Sequence, residues 1–434
     1  MNSNIKKFDS KAAFDAYRAT DGWGYPSVNY IVNAEESSIR YNNELIMRWN
    51  VNDTAKEPEF YGDISHDEFK AKIESLSKPC EIKKDGTDFA YLQMSGNTVA
   101  DYTKRSNGSA SHYNTADKAD YIQMAEISNV NVGLFKDSVK GTMEVRFNFD
   151  AGCPQGFRKW FPNTTTGTKL FGRYDILPNS AGGVNVCVGE KQEGTFNWNA
   201  NNMLSEIKKT GNFLEITYWE HLVMSYLFCA YFKTFNSQSI YTGIQSGSEA
   251  AARDYANGTV ESTVKEHTGK VSVTGGEAYK FLHLENPLHG KQWIWGAGWV
   301  GTTTGTGTLG GQYWLTTDDI IANKAATLDV NANAQYIEIH DNYPGSNGDT
   351  GPLGRIENKY ISKIDLYGVP TELNGSSTSG FYDAHWAYGN GAGRVAYLGG
   401  TSNYGASDGV FARHFYDAAS LAYWNRRGRL TMNR

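Results

Sequence analysis

GGTSNYGASDGVFARHFYDAASLAYWNRRGRL, residues 399–430, sets small Gly, Ala and Ser residues among regularly placed aromatics and finishes on Gly-Arg-Leu. Neither this stretch nor the rest of the chain contains a recognisable catalytic centre. Recognition is the function class that remains, and the sequence leaves the ligand open.

The composition around it is that of a folded β protein. Of 434 residues, 13% are aromatic and only 20% are charged, and Gly (46) far outnumbers Pro (10). This excludes a disordered or coiled-coil chain and leaves room for two or three domains. A net charge of −6 argues against nucleic acid or an anionic membrane as partner. Cys80, Cys153, Cys187 and Cys229 form no CxxC pair and are too sparse for a disulfide scaffold. The start, MNSNIKK, lacks the apolar run of a secretory signal, and Val223–Phe232 is too short to span a bilayer. The expectation is a soluble protein made in a cytoplasm, without membrane insertion.

Along the chain, Asp9 reads as the N-cap of a short helix that Asp21-Gly22 stops. PSVNYIV (26–32) and SSIRYN (37–42) then alternate as a β-hairpin. KEPEF (56–60) suggests a loop, DEFKAKIESLSK (67–78) a helix, and the polar stretch 101–120 an exposed loop or strand connector. Strands are expected at 141–149, 169–177 and 182–189. In the first of these Met143, Val145, Phe147 and Phe149 alternate with polar residues in a half-buried pattern, and Cys187 reads as a small buried hydrophobe.

The best helix follows. Thr217 and Glu220 fit a capping box, and apolar residues wrap most of the circumference, which marks a buried central helix. His221 and Cys229 on it read as packed core residues, since a metal site needs more ligands. Segment 281–299 is aromatic, with Trp293 and Trp295 on one strand face. Residues 302–315 form a Gly-rich turn into a strand but lack the Lys of a phosphate-binding loop. QYIEIHD (335–341) reads as a strand. DNYPGSNGDTG (341–351) carries Asp341 and Asp349 without EF-hand spacing and reads as a turn-rich loop. Glu285, Glu338, Asp341 and Asp383 do not single out a glycosidase pair by their setting. No enzymatic activity, metal or cofactor is expected.

The order of these segments resembles the C-type-lectin-like fold of formylglycine-generating-enzyme-like domains and of variable proteins of diversity-generating retroelements, as found in phages of gut Bacteroidetes. Four stretches carry the resemblance: 217–233 running into TFNSQSIYTGIQSG, LENPLHGKQWIW, YISKIDLYGVPTELNGSSTSGFYD (360–383), and GRVAYLGG through WNRRGRL. With the strands from about residue 126 it spans roughly 300 residues. The resemblance implies an α+β chain with a C-terminal C-type-lectin-like fold, a twisted antiparallel sheet with a buried helix and long loops. The expected division is an N-terminal virion-attachment module (1–55), a β-rich connector (56–125) and the lectin-like domain (126–434).

Carried over by position, Gly399, Gly400, Gly405, Gly409, Phe411, Ala418, Ser420, Trp424, Asn425, Arg429 and Leu430 would be framework. Phe411 and Trp424 would fill the core and Arg429 would bond internally. Asn403, Tyr404, Ser407, Arg413, His414, Tyr416, Asp417, Tyr423 and Arg427 would be exposed and ligand-binding, a mixture suited to a paratope. The chain departs from the oxidases of the fold, since its last cysteine is Cys229. It departs from calcium-dependent sugar lectins because Glu285-Asn286-Pro287 is misordered and Trp-Asn-Asp is missing.

The implied function is a phage virion adhesin of a tail or head fibre, acting outside the cell as a homotrimer. It would contact a host-surface glycan or protein, and other virion proteins through its N-terminus. The alternatives are a capsid or tail decoration protein and, further off, a polysaccharide depolymerase.

Overall fold

The computed structural model describes residues 41–434 apart from 52, 54–55, 138–139, 163, 179–183, 193–198, 245–248, 292, 306–308, 316–336, 341–354, 377–380, 382, 389–393, 402–407 and 418–419. The helix expected from Asp9, the hairpin strand 26–32 and the loop 341–351 lie outside the described residues. The described chain is mainly β, with four α-helices among its described residues: α1 (His66–Leu76), α2 (Ala200–Thr210), α3 (Tyr218–Phe232) and α4 (Glu249–Asp254).

Helix α1 starts where a serine can cap it. The Ser65 side chain accepts from the Glu68 amide, and Glu68 reaches back to the Ser65 amide. Phe69, Ile73 and Leu76 recur at helical spacing and are buried, and the chain then passes directly into strand Ser77–Lys83. KEPEF, expected as a loop, instead enters a short edge strand at its last two residues, Glu59–Gly62.

That edge strand belongs to a five-stranded sheet, in order Glu59–Gly62, Glu44–Asn50, Thr142–Asn148, Asn131–Asp137 and Phe157–Lys159. Met143, Val145 and Phe147 enter the core beside Leu45, Met47 and Trp49, as their alternation predicts. The polar side of strand Thr142–Asn148 is buried as well, so the half-buried expectation needs correcting. Arg146 lies between Glu144 and Glu44, and each of the three is less than a tenth exposed.

A seven-stranded sheet runs Leu214–Glu215, Leu430–Asn433, Thr168–Gly172, Tyr121–Ser128, Ser77–Lys83, Phe89–Ser95 and Val99–Arg105. Both sheets join early residues to late ones: Glu44–Asn50 pairs with Thr142–Asn148, and Ser77–Lys83 with Tyr121–Ser128. The expected boundary at 125/126 therefore falls inside a strand, and residues 44–62 and 77–105 are built into sheets shared with the region after it. Stretch 101–120 begins as strand Val99–Arg105 and continues as mostly exposed turns.

The third large sheet has the order Ile337–His340, Leu309–Leu315, Trp293–Gly305, Arg394–Leu398, Arg413–Phe415, Ala384–Tyr388 and Arg355–Tyr360, and Arg426–Arg427 pairs parallel to Trp293–Ile294. Strand Arg413–Phe415 is thus interior, flanked by Arg394–Leu398 on one side and Ala384–Tyr388 on the other.

Helix α3 is the centre of the core. Its Thr217–Glu220 capping box is present in both directions, and from Tyr218 to Tyr231 every residue is buried. The end is set by Lys233, which adopts a left-handed conformation (φ 59°) that lets a backbone amide close on Cys229 O. Burying each large apolar side chain contributes about 1.5–3 kcal/mol, so this helix alone is a major source of stability. Trp160 donates its indole N–H to Glu220 O (3.1 Å), and Trp219 donates to Trp160 O (3.1 Å). His221 and Cys229 lie in the core as expected; the His221 ring meets Leu288 O at 3.3 Å. Cys187 is likewise buried.

Candidate ligand face and its buried frame

Residues 399–430 enter the fold at a tight crossing. Gly399 and Gly400 both have positive φ (82° and 79°), and a Cβ on Gly399 would stand 1.9 Å from Leu288 O. Only glycine fits there. Phe411 then packs into the core against Tyr226, Phe235 and Phe381.

Beyond Phe411 the stretch is held by charge. Arg413 donates through Nη1 to Val410 O (2.9 Å) and Ala412 O (3.0 Å), and through Nε to the Tyr218 hydroxyl (3.3 Å). Asp417 pairs with Arg426, and Arg427 pairs with Asp175. Arg429 donates to Gly172 O (2.6 Å), Asp175 Oδ1 (2.7 Å) and Glu285 O (2.7 Å), which is the internal bonding expected of it. Lys291 is a further cation 3.5 Å from Asp175. Burial alone would raise the Asp175 carboxyl, but Arg427, Arg429 and Lys291 outweigh it and hold the group below its ordinary value. Glu215 receives the Arg429 amide at 2.8 Å, yet burial dominates and pushes it well up. Three cations on one carboxylate, all out of water, fix the end of the chain to strand Thr168–Gly172 and the turn after it.

This geometry divides the nine expected ligand-binding residues. Arg413, His414, Asp417 and Arg427 are buried, with Arg413 and Arg427 fully so. That corrects their expected exposure: Arg413 and His414 sit on an interior strand, while Asp417 and Arg427 are committed to buried ion pairs. His414 is enclosed by the rings of Trp293 (5.2 Å) and Tyr397 (6.0 Å), and burial drives its pKa well below the ordinary imidazole value. Tyr416 is half-buried against His414 (5.8 Å). Tyr423 is exposed at 44%. Asn403, Tyr404 and Ser407 lie outside the described residues, as do the framework positions Gly405 and Ala418.

The framework positions divide as well. Gly409, Leu430 and Arg429 are buried, but Trp424 is only half-buried and does not fill the core as expected, and Ser420 is exposed. The backbone of this outer part is tied down instead: Asn199 donates to Ser420 O (3.2 Å) and Gln192 to Trp424 O (3.2 Å).

What emerges is a small rim. Leu421 (39%) and Tyr423 are the exposed large hydrophobics among the described residues. Behind Tyr423 stands Arg426, whose guanidinium lies 5.3 Å from its ring and 4.3 Å from that of Tyr397. Arg426 is itself fixed by Asp417 and by Asn425 Oδ1 (2.7 Å). The rim is therefore an aromatic ring on a rigid cationic backing. Sequence reasoning missed Leu421, Arg426 and Asp175. Arg173 and Asp175, two charges inside the apolar run KLFGRYDIL, were a usable signal of buried ion pairs, Arg173 with Glu261 and Asp175 with Arg427 and Arg429.

Among the described residues no three His, Cys, Asp or Glu side chains gather as a metal site, and no helix is long and apolar enough to cross a membrane. No protein-family model matches the chain, and no curated protein matches it in sequence.

Proposed function

We propose that the protein is a phage virion adhesin of C-type-lectin-like fold, whose C-terminal stretch contacts a ligand on the bacterial surface. The observation that carries this reading is the division within residues 411–430. An inner part is locked by Asp175, Arg427 and Arg429, while an outer part presents Leu421, half-buried Tyr416, and Tyr423 on the Arg426 backing. Rigid aromatic area presented from a fixed backbone is what binding surfaces use, because little conformational freedom is lost on contact. The almost wholly buried α3 and the return of strand Leu430–Asn433 to Thr168–Gly172 support the lectin-like assignment. Trimeric display would add avidity to weak single-site contacts.

Purified protein is expected to adsorb to a Bacteroidetes host and to lose adsorption in the double variant Tyr404→Ala, Tyr423→Ala while keeping its melting temperature. Normal adsorption by that variant would remove the site assignment. Absence of adsorption by the parent protein, with retention in virions, would favour the decoration role.

A further inference from the structure

Leu282 and His283 form the two-residue turn of a hairpin, since Lys280 pairs with Glu285 and Phe281 with Leu284. Both have positive φ (55° and 61°). Turns of this kind ordinarily use Asn-Gly or Asp-Gly, because bulkier side chains are strained there. Here both residues are bulky and fully buried. A backbone held against its preference depends on the contacts around it, and such places concentrate at clamps and switches.

His283 supplies those contacts. Its amide donates to His267 O (2.9 Å), and its Nδ1 lies 3.1 Å from the Tyr102 hydroxyl on strand Val99–Arg105. Lys280 Nζ donates to the same hydroxyl (2.8 Å) and to Val264 O (2.6 Å). An ammonium only donates, so the Tyr102 proton is left for His283 Nδ1, which accepts it as a bare nitrogen. His283 Nε2 and both ring nitrogens of buried His267 have no hydrogen-bond partner, and the two rings stand 6.2 Å apart. Around the pair stand Lys280, Glu285, Lys265 and Arg173, the last over the Tyr102 ring (3.8 Å) and paired with Glu261. Toward His267 stand Glu266, the Tyr231 ring of α3, and Lys70 and Glu74 of α1.

We propose that His283 and His267 form an acid-sensitive latch: once protonated, His283 no longer accepts from Tyr102, and the strained turn releases from strand Val99–Arg105. Burial, reinforced by Lys280, His267 and Arg173, holds His283 well below the ordinary imidazole value, and burial holds His267 down to about 4. Both folded values lie below the unfolded one. The stability they carry is therefore complete above about pH 6.5 and is lost as pH falls toward the folded values. Opening can stay local, because Gly269–Val273, Gly276–Phe281 and Leu284–Glu285 form a sheet apart from the three large ones. It meets strand Val99–Arg105 through the segment just before it, by the Val99–Glu266 bridge and the Ala100 amide on Lys265 O (3.0 Å). The latch also reaches the terminal stretch, whatever that stretch contacts: Arg429 donates to Glu285 O, and Gly399 crosses Leu288 O.

The test is hydrogen exchange of the full chain at pH 7 and pH 4.5, read as protection after correction for intrinsic rates. Residues 264–285 are expected to lose at least about tenfold in protection while α3 keeps its own. The double variant His267→Phe, His283→Asn, whose Asn tolerates positive φ, should keep its pH 7 protection at pH 4.5. If that variant does not fold, His267→Phe alone decides, and should reduce the loss about threefold. Unchanged protection of 264–285 in the parent protein would overturn the proposal. So would simultaneous opening of α3, or an unaltered pH response in the variant.

Discussion

Helix α3 and the inner part of the stretch 411–430 are both enclosed by the fold, and they are held by opposite means. The helix is secured almost wholly by apolar packing, with Glu220 as its internal charge, paired to Lys169. The terminal stretch places Arg413, Asp417, Arg426, Arg427 and Arg429 where water does not reach. Apolar packing supplies stability without strict direction, whereas buried ion pairs add little net stability and admit few alternative arrangements. The helix accordingly supports the fold, and the charged stretch fixes where its outer residues stand.

The largest effect should come from breaking the charged side. Asp175→Ala would strand Arg427, Arg429 and Lys291, and an unfolding titration should show a loss of about 3–5 kcal/mol. On the apolar side, Leu227→Ala within α3 should cost about 3 kcal/mol in the same measurement, through a cavity alone. If Asp175→Ala proved the milder of the two, the account of the frame as charge-determined would not stand.

The pH dependence sharpens the contrast. Asp175 lies below its ordinary value in the fold, so its contribution is present above the unfolded carboxyl range and is lost as pH falls through the folded value. Glu215 lies well above its ordinary value. Its contribution is complete below the unfolded value and is lost as pH rises toward the folded one, with a slope of up to about 1.4 kcal/mol per pH unit. Glu215→Gln should flatten the stability profile above about pH 4.3 and leave the acid limb that depends on Asp175. The smallest expected change is in Tyr423→Ala, whose stability should stay within about 0.5 kcal/mol of the parent because the ring is exposed. A large loss there would mean that the rim is part of the frame.

The two regions were not equally legible in the sequence. Thr217, Glu220 and the apolar circumference after them announced a buried helix, because capping and periodicity are local signals. The strand at 142–148 was legible for the same reason. The terminal stretch announced its glycines and Phe411, but the direction of its polar residues depends on partners distant in sequence. Arg427 and Arg429 point inward because Asp175 is there, and Arg413 does so because an interior strand carries it past Tyr218. Carrying positions over from the resemblance made Arg413 and Arg427 exposed, while Arg429 was expected to bond internally. Strand Ser77–Lys83 shows the same dependence on distant residues, since its neighbour Tyr121–Ser128 spans the expected boundary.

The pairing of Lys169 with Asn433 and of Phe171 with Thr431 has a kinetic meaning. These residues stand more than half the chain apart, and strand Leu430–Asn433 must slot between Thr168–Gly172 and Leu214–Glu215. During synthesis that sheet stays open at this position until residue 433 has left the ribosome. Closing so long a loop is slow, and the waiting strands present unpaired edges. Exposure of those edges should therefore be prolonged, and chaperone demand should fall on the stage before this strand is placed.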